Sequence, residues 1–237
     1  MIAIWEVIFK LRLFNPKLFP SALAILSKLW EGFGTGLYPV ALQSSLERVV
    51  IGYFLAIIFG IGLGVLMGLI KFIDDGVGTI LLGIQSMGHA AWVPFAVLLF
   101  GENELAVIFI VQISAFITIA LNTDSGIKFV QPALISQAKL YGLKGVRLFK
   151  EVILPAAIPS IITGMRLGWA FSWRGLVTAE ILVSGLGVGH VLMQAKEHND
   201  MSFVLATMLL IAAISSLVDN LLFKNIERRI RRRWGLV

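Results

Sequence analysis

Three stretches of the chain carry no charged side chain at all: Val49 to Ile70, Val77 to Phe100 and Leu105 to Thr123. Each approaches the roughly 20 residues that a helix needs to cross a bilayer's hydrocarbon layer. Two further apolar runs are interrupted. Ala156 to Glu180 is long enough but holds Arg166, Arg174 and Glu180, and Phe203 to Phe223 contains Asp219 near one end. All five read as membrane spans. Met1 to Phe14 is apolar on average yet carries Glu6, Lys10 and Arg12; its 14 residues of helix would reach only about 21 Å. An interfacial amphipathic helix suits it better than a span, so the pattern predicts an all-α integral membrane protein, a polytopic bundle of five or six transmembrane helices. Leu18 to Trp30 is too short to cross, and the run Gly32 to Gly36 breaks it.

Within the first charge-free run, Gly52, Ala56, Gly60, Gly64 and Gly68 recur every four residues. One edge of that helix is almost without side chains, which predicts close approach of a neighbouring helix. In the next run Pro94 removes a backbone donor just after Gly88, His89 and Trp92, so a broken or kinked helix is expected there. Ser114, Thr118 and Asn122 share a face of the following segment and predict hydrogen bonds between helices, or a polar route. In the fifth segment Arg166, Trp169, Trp173 and Glu180 lie on one helix face. Arg166 and Glu180 stand about 21 Å apart on a regular helix, too far to pair. Charges within a membrane face protein, an aqueous cavity or each other, so this face is expected to line the translocation route or the dimer seam and, with His89, Trp92 and Asn122, is the candidate translocation pathway; snorkelling of both charges to the headgroups is the competing reading. Arg174 points away from that face.

Composition agrees: 58% of the 237 residues are hydrophobic and 14% charged, against about a quarter charged in soluble domains. The net charge of +6 is concentrated in two places. Lys224, Arg228, Arg229, Arg231, Arg232 and Arg233 crowd the end of the last span; Lys128, Lys139, Lys144, Arg147 and Lys150 fill the connection before Pro155. Both are expected in the cytoplasm, with the loops at Glu102 and Glu104 and from Ser184 to Ser202 outside. The basic bias therefore argues for lipid contact and topology rather than nucleic acid. There is no cysteine. Gly185, Gly187 and Gly189 lack phosphate-loop spacing and a Walker lysine, the segment Lys196 to Asp200 lacks metal-ligand spacing, and no hydrolase motif occurs. No catalytic residue, metal site or cofactor of the chain's own is expected, and the chain is not read as an enzyme.

Ala133 to Tyr141 can form one short helix, Gly142 can take a positive φ, and Leu143 to Leu154 can form a second, with Pro155 in the first turn of the next span. This elbow resembles the cytoplasmic loop of ABC importer permeases, whose pattern is Glu-Ala-Ala, three residues, Gly, nine residues, Ile, one residue, Leu-Pro. From about Ser44 to Arg229 the chain resembles the nitrate, sulfonate, taurine and bicarbonate group of that family. Ala91-Trp92-Val93-Pro94, Leu121-Asn122-Thr123, Thr163-Gly164-Met165-Arg166-Leu167, Ser172-Trp173, Ala179-Glu180 and Ser184-Gly185-Leu186-Gly187 follow the group's order. Ser136-Gln137-Ala138 stands where the family has Glu-Ala-Ala, and Ser86 to His89 where it has a proline-rich stretch. The resemblance implies a permease subunit that moves a small anionic solute across the bacterial inner membrane by alternating access. It implies a second copy of the chain, an extracytoplasmic solute-binding protein and two ATP-binding subunits, which would hold ATP and Mg. Those subunits would couple through Ala138, Tyr141, Gly142, Leu143, Val146, Phe149, Leu154 and Pro155. The domain layout expected is a peripheral segment over 1–48, a transmembrane domain over 49–223 with the coupling loop at 128–155, and a basic cytoplasmic tail over 224–237. A passive channel or scaffold subunit is the alternative.

Overall fold

The computed structural model describes residues 18–183 and 185–226, together with Trp5, Glu6 and Phe9. The expected peripheral segment Met1–Phe14 otherwise lies outside the described residues, as do residues 227–237 of the basic tail. Every regular element among the described residues is helical. In chain order they are α1 (Ala22–Gly34), α2 (Leu37–Leu69), α3 (Lys71–Gln85), α4 (His89–Phe100), α5 (Glu104–Lys128), α6 (Pro132–Leu140), α7 (Gly145–Leu182), α8 (Val188–Glu197) and α9 (Met201–Ile226). Four of these, α2, α5, α7 and α9, are long and apolar enough to cross a membrane, and α3 with α4 makes a fifth span if the bent pair counts as one.

Local chemistry sets the ends. Ser21 caps α1 by accepting from the Ala24 amide, Asn103 caps α5 by accepting from Leu105 and Ala106, and Asp200 caps α9 by accepting from Phe203; each satisfies donors that the first helical turn leaves unpaired. Helix α2 begins at Leu37, well before the charge-free run at Val49, because the polar residues Ser45 and Arg48 find buried partners instead of ending the helix. Lys28 of α1 reaches both Glu31 and Asp200 at the start of α9. The hydrogen bond to Glu31, followed by the nearby acidic charges, holds its ammonium above the ordinary lysine range despite some burial.

Helix α5 is the central post, packed along its length between α2 and α7. The small-residue edge of α2 faces it within the chain: a methyl on Gly60 would meet Ile119 at 3.0 Å, and one on Gly64 would meet the Ala120 carbonyl at 2.5 Å. Gly62, off the edge, has nothing within 4 Å. Helix α7 uses the same device from the other side, Gly164 against Asn122 and Gly168 against Ile119. With no hydrophobic driving force between helices in lipid, such interdigitation of backbone and side chain supplies the association.

The expected break in the second apolar run is present, at Ser86–Gly88, where α3 and α4 meet at 107°. Gly88 is extended, and Pro94 falls in the first turn of the α-helical part of α4, where its missing N–H costs nothing. The proline therefore follows the bend and does not make it.

Candidate functional site

Three constellations stand out: an exposed elbow, two ion pairs that tie helices together, and a cavity at the α3–α4 break. In the elbow, α6 ends as the sequence predicts. Gly142 has φ 82°, its amide donates to Lys139 O, and the Leu143 amide donates to Ala138 O, a pair of bonds that closes the helix end with a left-handed residue. Lys144 is extended, and Gly145, also at positive φ, opens α7. The expected second short helix and separate Leu-Pro start are corrected here: Gly145–Leu182 is one continuous 38-residue helix. Its turn Phe149–Ile153 is widened, with the Leu154 amide reaching Phe149 O. Pro155 follows this wide turn directly, and the altered register accommodates its ring and lost donor. The elbow has two sides. Phe149 and Leu154 pack on Ile127 at the end of α5 and on Ala157 and Ile161 farther along α7, and Ala138 is buried. Leu140 and Tyr141, each 87% exposed, and Val146 at 69% face outward. Beside the elbow, Lys128 at the end of α5 pairs with Asp124 at 2.7 Å and with Asp74 of α3.

Arg166 and Glu180 each have a counter-charge that the sequence did not reveal. Arg166 makes a two-pronged bond to Asp219, Nε to Oδ1 at 2.7 Å and Nη2 to Oδ2 at 2.9 Å. It joins α7 to the wide turn Asp219–Phe223 of α9. Glu180 is fully buried and accepts from Ser45 Oγ at 2.7 Å, Arg48 Nη1 at 3.0 Å and the Gly189 amide at 2.9 Å. Arg48 also donates to Leu186 O and to Glu104 Oε1, while Ser45 Oγ accepts from the Val188 amide. One buried carboxylate thus gathers α2, α7 and the start of α8. Between the two pairs, Trp169 and Trp173 are buried, Trp169 edge-on to Tyr53 and against Phe223. Of the face defined by Arg166, Trp169, Trp173 and Glu180, the last three are buried inside the chain and Arg166 is partly exposed.

The third constellation is a cavity of about 180 Å³ whose walls include Ser86, His89, Trp92, Ser114, Thr118 and Phe171. Ser114 donates to Ile110 O at 2.6 Å and stands 3.0 Å from His89 Nδ1. Its single proton is committed to the carbonyl, so His89 Nδ1–H is the donor to Ser114. Asn122 lies one turn beyond Thr118, donates to Thr118 O and packs on Gly164.

The family model for the binding-protein-dependent transport system inner membrane component matches residues 50–232. The chain belongs to this family. It is 35% identical to a putative ABC transporter permease of Methanocaldococcus jannaschii over 92% of the chain and 83% of that protein. It is 31% identical to a putative aliphatic sulfonates transport permease of Bacillus subtilis, with coverage of 97% and 83%. Identity is 30% to the taurine transport system permease of Escherichia coli, with 97% and 85% covered. Among solved structures, an inward-facing MetNI methionine ABC transporter chain aligns over 82% of this chain and 96% of its own with a TM-score of 0.71; at 17% identity it shares the fold.

Of the permease residues singled out in the sequence, His89 and Trp92 come together at the cavity, with Asn122 one turn away. Arg166 and Glu180 sit in separate polar networks, and the two tryptophans fill the space between. Sequence reasoning passed over Ser45, Arg48 and the pairing role of Asp219. Asp219 was visible as a lone acid in an apolar run, and Arg48 as the last charge before one. Gly187 and Gly189 make no phosphate loop; a methyl on either would collide with Glu180.

Proposed function

We propose that this permease subunit moves a small oxyanion inward across the bacterial inner membrane by alternating access, driven by ATP hydrolysed in two separate subunits. The family membership and the sulfonate and taurine permeases among its relatives support that solute class. The observation that carries the coupling is the continuity of α7. An outward apolar tip at Leu140, Tyr141 and Val146 is joined through the Gly142 turn to a 38-residue helix that bears Arg166 and Glu180. Force applied to the tip is delivered to the ion pairs holding α2, α8 and α9, so a closing ATPase dimer would have unequal contacts with the inward- and outward-facing states, as coupling requires.

In this reading Ala138, Gly142, Leu143, Phe149, Leu154 and Pro155 shape and brace the elbow, and Tyr141 and Val146 touch the ATPase. His89, Trp92 and Asn122 border the route. Arg166, Trp169, Trp173 and Glu180 fix the helices that move. The outward faces of α7 and α9 are left for a second copy and for lipid, and an extracytoplasmic binding protein delivers solute. The elbow and C-terminal tail lie in the cytoplasm. The test is reconstitution of the chain with its ATP-binding partner and binding protein in liposomes. ATP-dependent uptake of labelled taurine, ethanesulfonate, nitrate or bicarbonate is expected. Equal uptake with and without ATP would mark a passive channel.

A further inference from the structure

From Phe129 to Ile153 the chain holds four basic residues, Lys139, Lys144, Arg147 and Lys150, and a single acidic one, Glu151. Glu151 is taken by Arg147 at 3.0 Å, one turn away on α7. Three lysines remain. All are exposed, and among the described residues none of their ammonium groups has an ion-pair or hydrogen-bond partner. The elbow is therefore positive by an amount that neither its helices nor its turn requires.

The lysines surround the apolar tip. Lys139 immediately precedes Leu140 and Tyr141 at the end of α6, Lys144 is the extended step between Tyr141 and Val146, and Lys150 follows Val146 by about one turn of α7. Phe129, at the end of α5, is exposed as well. The bonds from the Gly142 and Leu143 amides hold the tip in shape, while Ala138 and Leu148 are buried. Large apolar side chains held in the open, with charges around them, have the make-up of a protein interface, apolar at its centre and polar at its rim. Lysines alone would also suit an anionic leaflet. A helix lying on lipid, however, turns one apolar stripe of its length to the surface, whereas here the apolar groups gather at the turn between two helices.

We infer that the groove receiving this elbow on the ATP-binding subunit is apolar at its floor and rimmed by carboxylates that face Lys139, Lys144 and Lys150, so that charge at the elbow selects which ATPase docks. The inference rests on the importer reading and adds the chemistry of the partner. Ser136 and Gln137 stand where the family pattern has Glu-Ala, and they leave the rim free of acid; a glutamate there would meet the same carboxylates. Opposite charges across an interface speed encounter, and like charges reject the wrong partner. Rim pairs of this kind are screened over about 8 Å at physiological ionic strength, so the docking must depend on salt.

The probe is the ATP-binding subunit that co-purifies with the affinity-tagged chain, separated and passed over immobilised nanodiscs that hold the chain in phosphatidylcholine. Raising NaCl from about 50 to about 500 mM is expected to weaken docking by on the order of tenfold. The triple variant Lys139→Gln, Lys144→Gln, Lys150→Gln should lose a similar factor at low salt and respond little to further salt. Ser136→Glu should weaken docking several-fold, and Lys196→Gln on α8 should match the parent. All these side chains are exposed, and an unchanged thermal midpoint shows that each variant is folded. A subunit that docks without regard to salt or to the three lysines, or that docks more tightly to Ser136→Glu, would overturn the acidic rim and leave the importer reading intact. Dependence on the lysines that appears only in discs containing phosphatidylglycerol would assign them to lipid and overturn it equally. If no ATP-binding subunit accompanies the chain, the importer reading falls and this inference with it.

Discussion

Arg48 bonds Glu180, Glu104 and the Leu186 carbonyl from one guanidinium. Removing it strands a buried carboxylate. Arg48→Met is therefore expected to cost about 3–5 kcal/mol, whereas Arg48→Met combined with Glu180→Leu should cost less than Arg48→Met alone, because an apolar pair leaves no uncompensated charge. Thermal unfolding of the detergent-solubilised variants measures this, and simple addition of the two single effects would contradict it. The Arg166–Asp219 pair permits a second check: either charge reversal alone should abolish stable assembly, and the exchange Arg166→Asp with Asp219→Arg should recover part of it, read as the yield of monodisperse protein. The sequence showed these residues as isolated charges in apolar runs. Their partners lie 132 and 53 positions away, and nothing in helix periodicity specifies which faces meet.

Among the elements, the small-residue edge of α2 was legible because a four-residue repeat of glycine has one physical use in lipid, close packing. That its neighbour is α5 of the same chain came only from the structure. The contrast between Gly64 and Gly62 tests it by sign. Gly64→Ala forces a methyl against the Ala120 carbonyl and Thr123 and should destabilise by about 1–3 kcal/mol. Gly62→Ala enters open space and should stabilise by roughly 0.5–1 kcal/mol through helix propensity. Shifts in thermal midpoint of the same sign for both would refute the packing. The break between α3 and α4 was also readable from its Gly88-His89 step and Pro94, though the proline proved to be a helix start. The continuity of α7 was not, because a Leu-Pro step ordinarily begins a helix; the widened turn before it is a backbone adjustment with no residue signature.

At the scale of the whole molecule, the charge-free runs predicted the helical spans, while the clustering of basic residues predicts the topology. Single cysteines at Lys144, Glu102 and Glu197 should label from the inside, outside and outside of sealed cells respectively, and external labelling at position 144 would invert the assignment. The central claim is that the elbow transmits ATPase closure through α7. Gly142 is the residue to change, since its φ of 82° disfavours any β-branched side chain while its surroundings hold nothing within 4 Å that a new group would strike. Gly76, in the wide turn at the start of α3, is equally unobstructed and has no positive φ, and serves as the control. ATP-driven uptake by liposomes containing the assembled transporter is the measurement. Gly142→Val should insert normally and lose at least tenfold in ATP-dependent rate, with Gly76→Val near the parent value; a Gly142→Val transporter that binds its ATPase and transports at the parent rate would contradict the account.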